Sequence, residues 1–187
     1  MKLLSLGLAS LALALTASST TAQVKAMDLP EMVQACDHAV YGQILSKKVS
    51  RVDGTDGYPR YFTTLTIAGR TMDDGTAVQV DVSYPGGFLS EDEGYWHSES
   101  PGDDETKVGS HIIAFYKWMP AMGGAHTTNW LYANHGGLYQ SVQGPKGALV
   151  LGRGKGYAVA KNLQVTDLEK AVRQIRIEDA QRKNKND

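Results

Sequence analysis

The chain has 187 residues with 19 Lys and Arg against 20 Asp and Glu, a formal charge of -1. So even a balance excludes a general nucleic-acid binder, which needs a basic face for the phosphates. A single cysteine excludes an internal disulfide framework, so the fold must be held by its core alone.

Met1-Lys2 is followed by the apolar run Leu3 to Leu15 and a small polar patch ending Thr20-Thr21-Ala22-Gln23. A positive start, an apolar stretch too short to span a bilayer and a small-x-small site predict a signal peptide over 1–22, cut after Ala22. A helical anchor that is never removed is the alternative. No later run approaches membrane-spanning length, so the expectation is an exported product, periplasmic or extracellular, with no transmembrane segment after cleavage. About 165 residues then remain, enough for one domain with a real core.

Asp28 to Asp37 predicts a short helix: Asp28 caps it, Pro30 fits the first turn, and Leu29, Met32, Val33 and Cys36 share a face. Cys36 on that face reads as a small buried hydrophobe; a nucleophile or an intermolecular bridge would need a partner that the sequence does not place. A β-rich middle follows. Ala39–Leu45 continues to Val52 and stops at the turn signal Asp53–Gly57, and Tyr61–Ile67 is β-branched and aromatic. Val78–Tyr84 alternates valine with polar residues, the cleanest period of two in the chain, and ends at Pro85-Gly86-Gly87.

His111–Trp118 reads as a buried strand, and Trp130–Ala133 and Leu138–Val142 flank the turn at His135-Gly136-Gly137. Ala148–Leu151 and Tyr157–Ala160 are further strand candidates. At the end, Thr166-Asp167-Leu168-Glu169 has the form of a capping box, with Leu168, Val172 and Ile175 as the apolar stripe and a basic tail behind. The predicted organisation is therefore a 23–165 β-domain and a 166–187 helix with its tail. The fold class is mainly β (α+β): a small antiparallel barrel, closed because closure removes exposed edges, with a short helix before it and one after.

Several motifs in order resemble those of a broad family of exported bacterial proteins of uncharacterised function. They are Ala35-Cys36-Asp37-His38-Ala39-Val40-Tyr41-Gly42-Gln43-Ile44, the Arg51–Tyr61 hairpin, Val80 to Gly87, Ser100-Pro101, Val108 to Phe115 and Gly136 to Tyr139. The turn at Gly69–Gly75 and the extension after Val142 depart from that pattern. In layout the family is distantly similar to the five-stranded OB barrel of the tissue inhibitors of metalloproteinases. The resemblance implies an OB-like barrel but not their mechanism, which needs an amino-terminal cysteine and many disulfides.

Candidate chemistry centres on GYWHSESPGDDE, residues 94–105. His97, His111, His126 and His135 with Asp103, Asp104 and Glu105 offer metal ligands, yet match no zinc spacing, and the acidic run lacks the alternation of a calcium loop. No Gly-x-Ser-x-Gly surrounds Ser98, Ser110 or Ser141, and Glu99 with Asp103 reads as a solvated face rather than a hydrolytic pair. Gly152-Arg153-Gly154-Lys155-Gly156 lacks the spacing of a P-loop and reads as a flexible basic turn.

Trp118, Trp130, Tyr132 and Tyr139 lie on predicted strands and read as core. The pair Tyr95 and Trp96 falls in a loop and so marks a contact surface. The expectation is a secreted non-catalytic binding protein without cofactor or metal. Through the acidic and aromatic loop 86–107, Tyr95, Trp96, His97, Glu99, Asp103 and Asp104 meet a protein or cell-envelope ligand, the carboxylates forming a rim around the aromatics. A metal-dependent hydrolase and a structural envelope protein without specific ligand are the alternatives.

Overall fold

The computed structural model of the chain describes residues 26–122, 124 and 126–185. The expected signal peptide lies outside them. Among the described residues no helix is long and apolar enough to cross a membrane.

Helix α1 (Leu29–Ala35) is set by the predicted cap. The Asp28 carboxylate accepts from the Glu31 amide at 2.9 Å while the Glu31 carboxylate accepts from the Asp28 amide at 3.1 Å, satisfying two otherwise orphan donors. Met32 and Val33 are buried, and the Cys36 thiol, also buried, donates to the Met32 carbonyl.

Strands β1 (His38–Asp53) and β2 (Pro59–Thr71) form one long antiparallel hairpin. A register shift between Ile44 and Ser46 leaves Leu45 as an extra residue on β1, half exposed. Beyond it the hairpin continues as an arm whose β1 side is mostly half-buried or exposed. At Gly42 opposite Gly69 the backbones approach closely. A Cβ on Gly69 would stand 2.1 Å from the Tyr41 carbonyl oxygen, so only glycine fits.

Strand β3 (Ala77–Pro85) pairs antiparallel with β2, β6 (His111–Met122) with β1, and β7 (His126–Leu131) with β6. The ring β1-β2-β3-β7-β6 then closes through β3 and β7, and that pairing is parallel, at Val82–Asn129 and Ser83–Trp130. The expectation of a purely antiparallel barrel is thus corrected. The chain leaves β3, crosses the barrel end through the 86–110 segment and enters β6 beside β1. The β6–β7 turn then returns it alongside β3 in the same direction, the crossover that a parallel neighbour requires.

Two apolar clusters share β6. Ile112, Ala114 and Tyr116 point into the barrel with Val40, Ile44, Leu65, Ile67 and Val82. Ile113 and Phe115 face the other way, into a layer with Met32, Cys36, Tyr139, Leu168 and Val172. A strand covered on both faces needs no polar alternation, which accounts for the unbroken run Ile112–Tyr116. Past Tyr116 β6 runs beyond the packed barrel, and Trp118, on the same side of the strand as Tyr116, is exposed, contrary to its reading as core.

β8 (Leu138–Gly144), β9 (Gly147–Val150) and β10 (Leu163–Gln164) extend the sheet from β6 and deliver the chain to helix α2 (Val165–Lys183). The predicted strand at Tyr157–Ala160 is a turn in which Arg153 and Gly154 donate to the Val159 and Ala160 carbonyls. Gly154 and Gly156 adopt positive φ there, which breaks strand geometry while Ala158 and Val159 still bury. α2 begins at Val165 without a side-chain cap, so the expected capping box is absent. Glu169 instead accepts from Arg70 on β2 at 2.7 Å and is buried with Leu168 and Val172.

Candidate functional site

The 86–110 segment begins at two positive-φ glycines, Gly86 and Gly87, and forms the hairpin β4 (Gly87–Ser90) and β5 (Glu93–Tyr95). A Cβ on Gly94 would lie 2.3 Å from the Gly87 carbonyl oxygen, so the hairpin is that tight only with glycine. The rest folds back on the barrel rather than projecting. Pro101 and Thr106 are buried, the Ser100 hydroxyl donates to the Pro85 carbonyl, and Gly109 donates to the Ile44 carbonyl at 2.8 Å.

This folding back separates the expected site residues. Tyr95 is half-buried, edge-on to Tyr61 at 6.3 Å and to His97 at 6.2 Å, and burial raises its phenol above the ordinary value. Trp96 is 72 % exposed. His97 lies beside them, and its Nδ1 is buried with no hydrogen-bond partner among the described residues. Asp103 points outward, 2.5 Å from the Lys47 amine on β1.

The other two expected residues stand elsewhere. Glu99 presents its carbonyl to the His135 amide at 2.8 Å, and the carbonyl of exposed Asp104 accepts from Gln140 at 3.0 Å. Asp103 thus stays beside Tyr95, Trp96 and His97, while the backbones of Glu99 and Asp104 are tied to His135 and Gln140. Glu93, nearer the pair, is taken by Arg51 at 3.3 Å and by the Tyr61 hydroxyl at 3.4 Å.

Two concavities meet at Tyr95. A cavity of about 240 Å³ lies under the β4–β5 hairpin, against Lys47, Val49, Thr63 and Tyr84, with Tyr95, Trp96, His97 and Asp103 on its other walls. An open groove of about 690 Å³ runs along the barrel end, floored by Phe62, Met119, Met122 and Trp130, with Tyr58 and Tyr95 as sides. No family model, curated protein or solved structure matches this chain.

The groove residues come from four strands and a turn, and sequence spacing does not foreshadow their meeting. At its edge Arg60 donates to both oxygens of Asp56, at 3.0 and 2.7 Å, and these bonds hold the Asp56 carboxyl below the usual range. Phe62 is stacked on His126 with ring centroids 4.8 Å apart, and burial lowers the His126 pKa. The Trp130 indole donates to the Asn134 amide oxygen at 3.1 Å, which fixes the ring's orientation.

The basic turn at Gly152–Gly156 is anchored through its arginine rather than flexible. Arg153 donates to Glu105 at 2.5 Å and to the Leu138 carbonyl at 3.0 and 2.8 Å, contacts His135 Nε2 and lies over the Tyr139 ring. Burial first, and the Arg153 charge second, push the His135 pKa down against the pull of Glu105. This network ties the acidic segment to the β8–β10 extension. Among the described residues no three His, Cys, Asp or Glu side chains come together as a metal site. The Cys36 thiol is pushed up to about 12, mainly by burial, and is no nucleophile at neutral pH in that state.

Proposed function

We propose that the protein is an exported, non-catalytic binding protein on an OB-like barrel. Its contact surface is the aromatic groove at the barrel end together with Trp96, and its ligand is a protein or cell-envelope component offering apolar or aromatic groups. The observation that carries this reading is the groove itself. Tyr58, Phe62, Tyr95, Met119, Met122 and Trp130 converge on one open concavity of about 690 Å³, and rigid aromatics with adaptable methionines are the side chains that bind strongly when desolvated. The five-stranded ring with its crossover after β3 supports the OB-like assignment, in which binding loops stand on a rigid barrel. The 1–22 segment supports export.

The test is capture of partners from an envelope extract by the mature protein and by Tyr58→Ala and Tyr95→Ala variants. Both are expected to lose the partners that the parent retains, with unchanged circular dichroism. A partner set unaffected by either substitution sinks the groove. Loss on Trp96→Ala alone would return the contact to the segment just after the hairpin.

A further inference from the structure

We infer that the cavity beneath the β4–β5 hairpin is a second binding site, adjoining the groove at Tyr95, for a small organic carboxylate with an apolar body. Its walls are largely apolar and aromatic: Val49 from β1, Phe88 and Tyr95 from the hairpin, and Trp96 and Pro101 from the segment that follows. About 240 Å³ suits a small molecule rather than a polypeptide segment.

Its polar groups select the sign of the ligand. The Thr63 hydroxyl already donates to the Gly86 carbonyl at 2.7 Å and the Ser100 hydroxyl to the Pro85 carbonyl, so neither is a free donor. Among the described residues Lys47 is the one cation on the wall, with its side chain 26 % exposed. Two of its three N–H donors are used, by Asp103 at 2.5 Å and Thr106 at 3.0 Å, which leaves one. Its counter-ion is held loosely: the Asp103 side chain is 94 % exposed, and an ion pair so open to water is worth little. An incoming carboxylate can therefore replace Asp103 at small cost and form the same pair in a drier place.

A second observation lies on the same wall. His97 carries a buried Nδ1 with no partner among the described residues, and buried polar nitrogens are normally satisfied. In the tautomer that carries its proton on Nδ1, a ligand oxygen reached by rotation of the His97 ring supplies the missing acceptor. The hairpin that roofs the cavity is held tight by Gly86, Gly87 and Gly94, all at positive φ.

The experiment titrates the mature protein with benzoate and with its uncharged analogue benzamide, following tryptophan fluorescence and amide chemical shifts. Benzoate is expected to bind about tenfold more tightly than benzamide or better, with shifts at Lys47, Trp96 and His97. Lys47→Met is expected to remove that preference. Asp103→Asn, which deletes the competing counter-ion without disturbing the wall, is expected to bind benzoate several-fold more tightly, a gain that a structural role for the pair would not produce. Benzoate binding no tighter than benzamide, or not at all, overturns the inference, as does an Asp103→Asn variant with no gain. Tyr58→Ala, on the groove alone, is expected to leave benzoate binding unchanged, so failure of either site is read without the other.

Discussion

Arg176 on α2 donates through Nε to the Asp73 carboxylate at 2.9 Å, joining residues 103 positions apart in the chain. The other guanidinium nitrogens donate to the Cys36 carbonyl at 3.0 Å and the Asp37 carbonyl at 2.8 Å, so one side chain ties α2 to the β2–β3 turn and closes the end of α1. Arg176→Met is expected to cost about 2 kcal/mol, since it removes bonds from a charged donor and orphans the part-buried Cys36 carbonyl. Urea unfolding measures it. Arg176→Lys should recover less than half, because a single ammonium cannot span three acceptors. A methionine variant as stable as the parent would show the helix to be held by its apolar stripe alone.

Gly69 faces Gly42 where β1 and β2 come closest, and the nearest atoms to an added Cβ are backbone, which cannot swing away. Gly69→Ala is expected to destabilise by about 3 kcal/mol through forced separation of the strands. Gly57→Ala is the contrast: nothing lies near its Cβ position, and its φ of +79° alone should cost about 1 kcal/mol. Thermal melts of the two variants separate crowding from backbone strain.

The buried thiol of Cys36, pushed up to about 12, predicts silence towards alkylating and disulfide reagents at pH 8 while the protein is folded. One equivalent should appear on unfolding in guanidinium. Rapid labelling under native conditions would mean that α1 detaches readily.

His135 and His126 both have folded pKa values below the ordinary imidazole value, burial being the first cause in each. Their neutral forms are favoured by the fold, so the unfolded chain binds more protons as the pH falls. The stabilisation is fully present above the ordinary histidine value of about 6.5 and is lost as the pH falls through it towards the folded values. Unfolding midpoints should therefore drop from pH 7.5 to 5.5. His135→Gln should flatten that slope, and a variant with the parent's slope would remove His135 as its source.

Wherever the deciding physics is local, the sequence carried it. The α1 cap is a contact between residues three apart, the β3 alternation is a period of two, and the stripe at Leu168, Val172 and Ile175 repeats at helical spacing. The failures share a cause. Glu169, three residues after Thr166, has the local signature of a capping box, yet Arg70 draws it away, and no sequence window contains both. Arg153 likewise reads as a loose turn until Glu105 and His135 reach it.

By itself, then, the sequence determined a β-rich domain between two helices and a buried thiol. Only the tertiary structure decided that β3 and β7 run parallel, that the acidic segment folds back, and that Tyr95 divides a groove from a cavity. Periodicity and capping act within a few residues of chain. Barrel closure and the choice of ion-pair partner depend on distances that exist only after the chain has folded, and a carboxylate destined for a guanidinium looks locally the same as one destined for water.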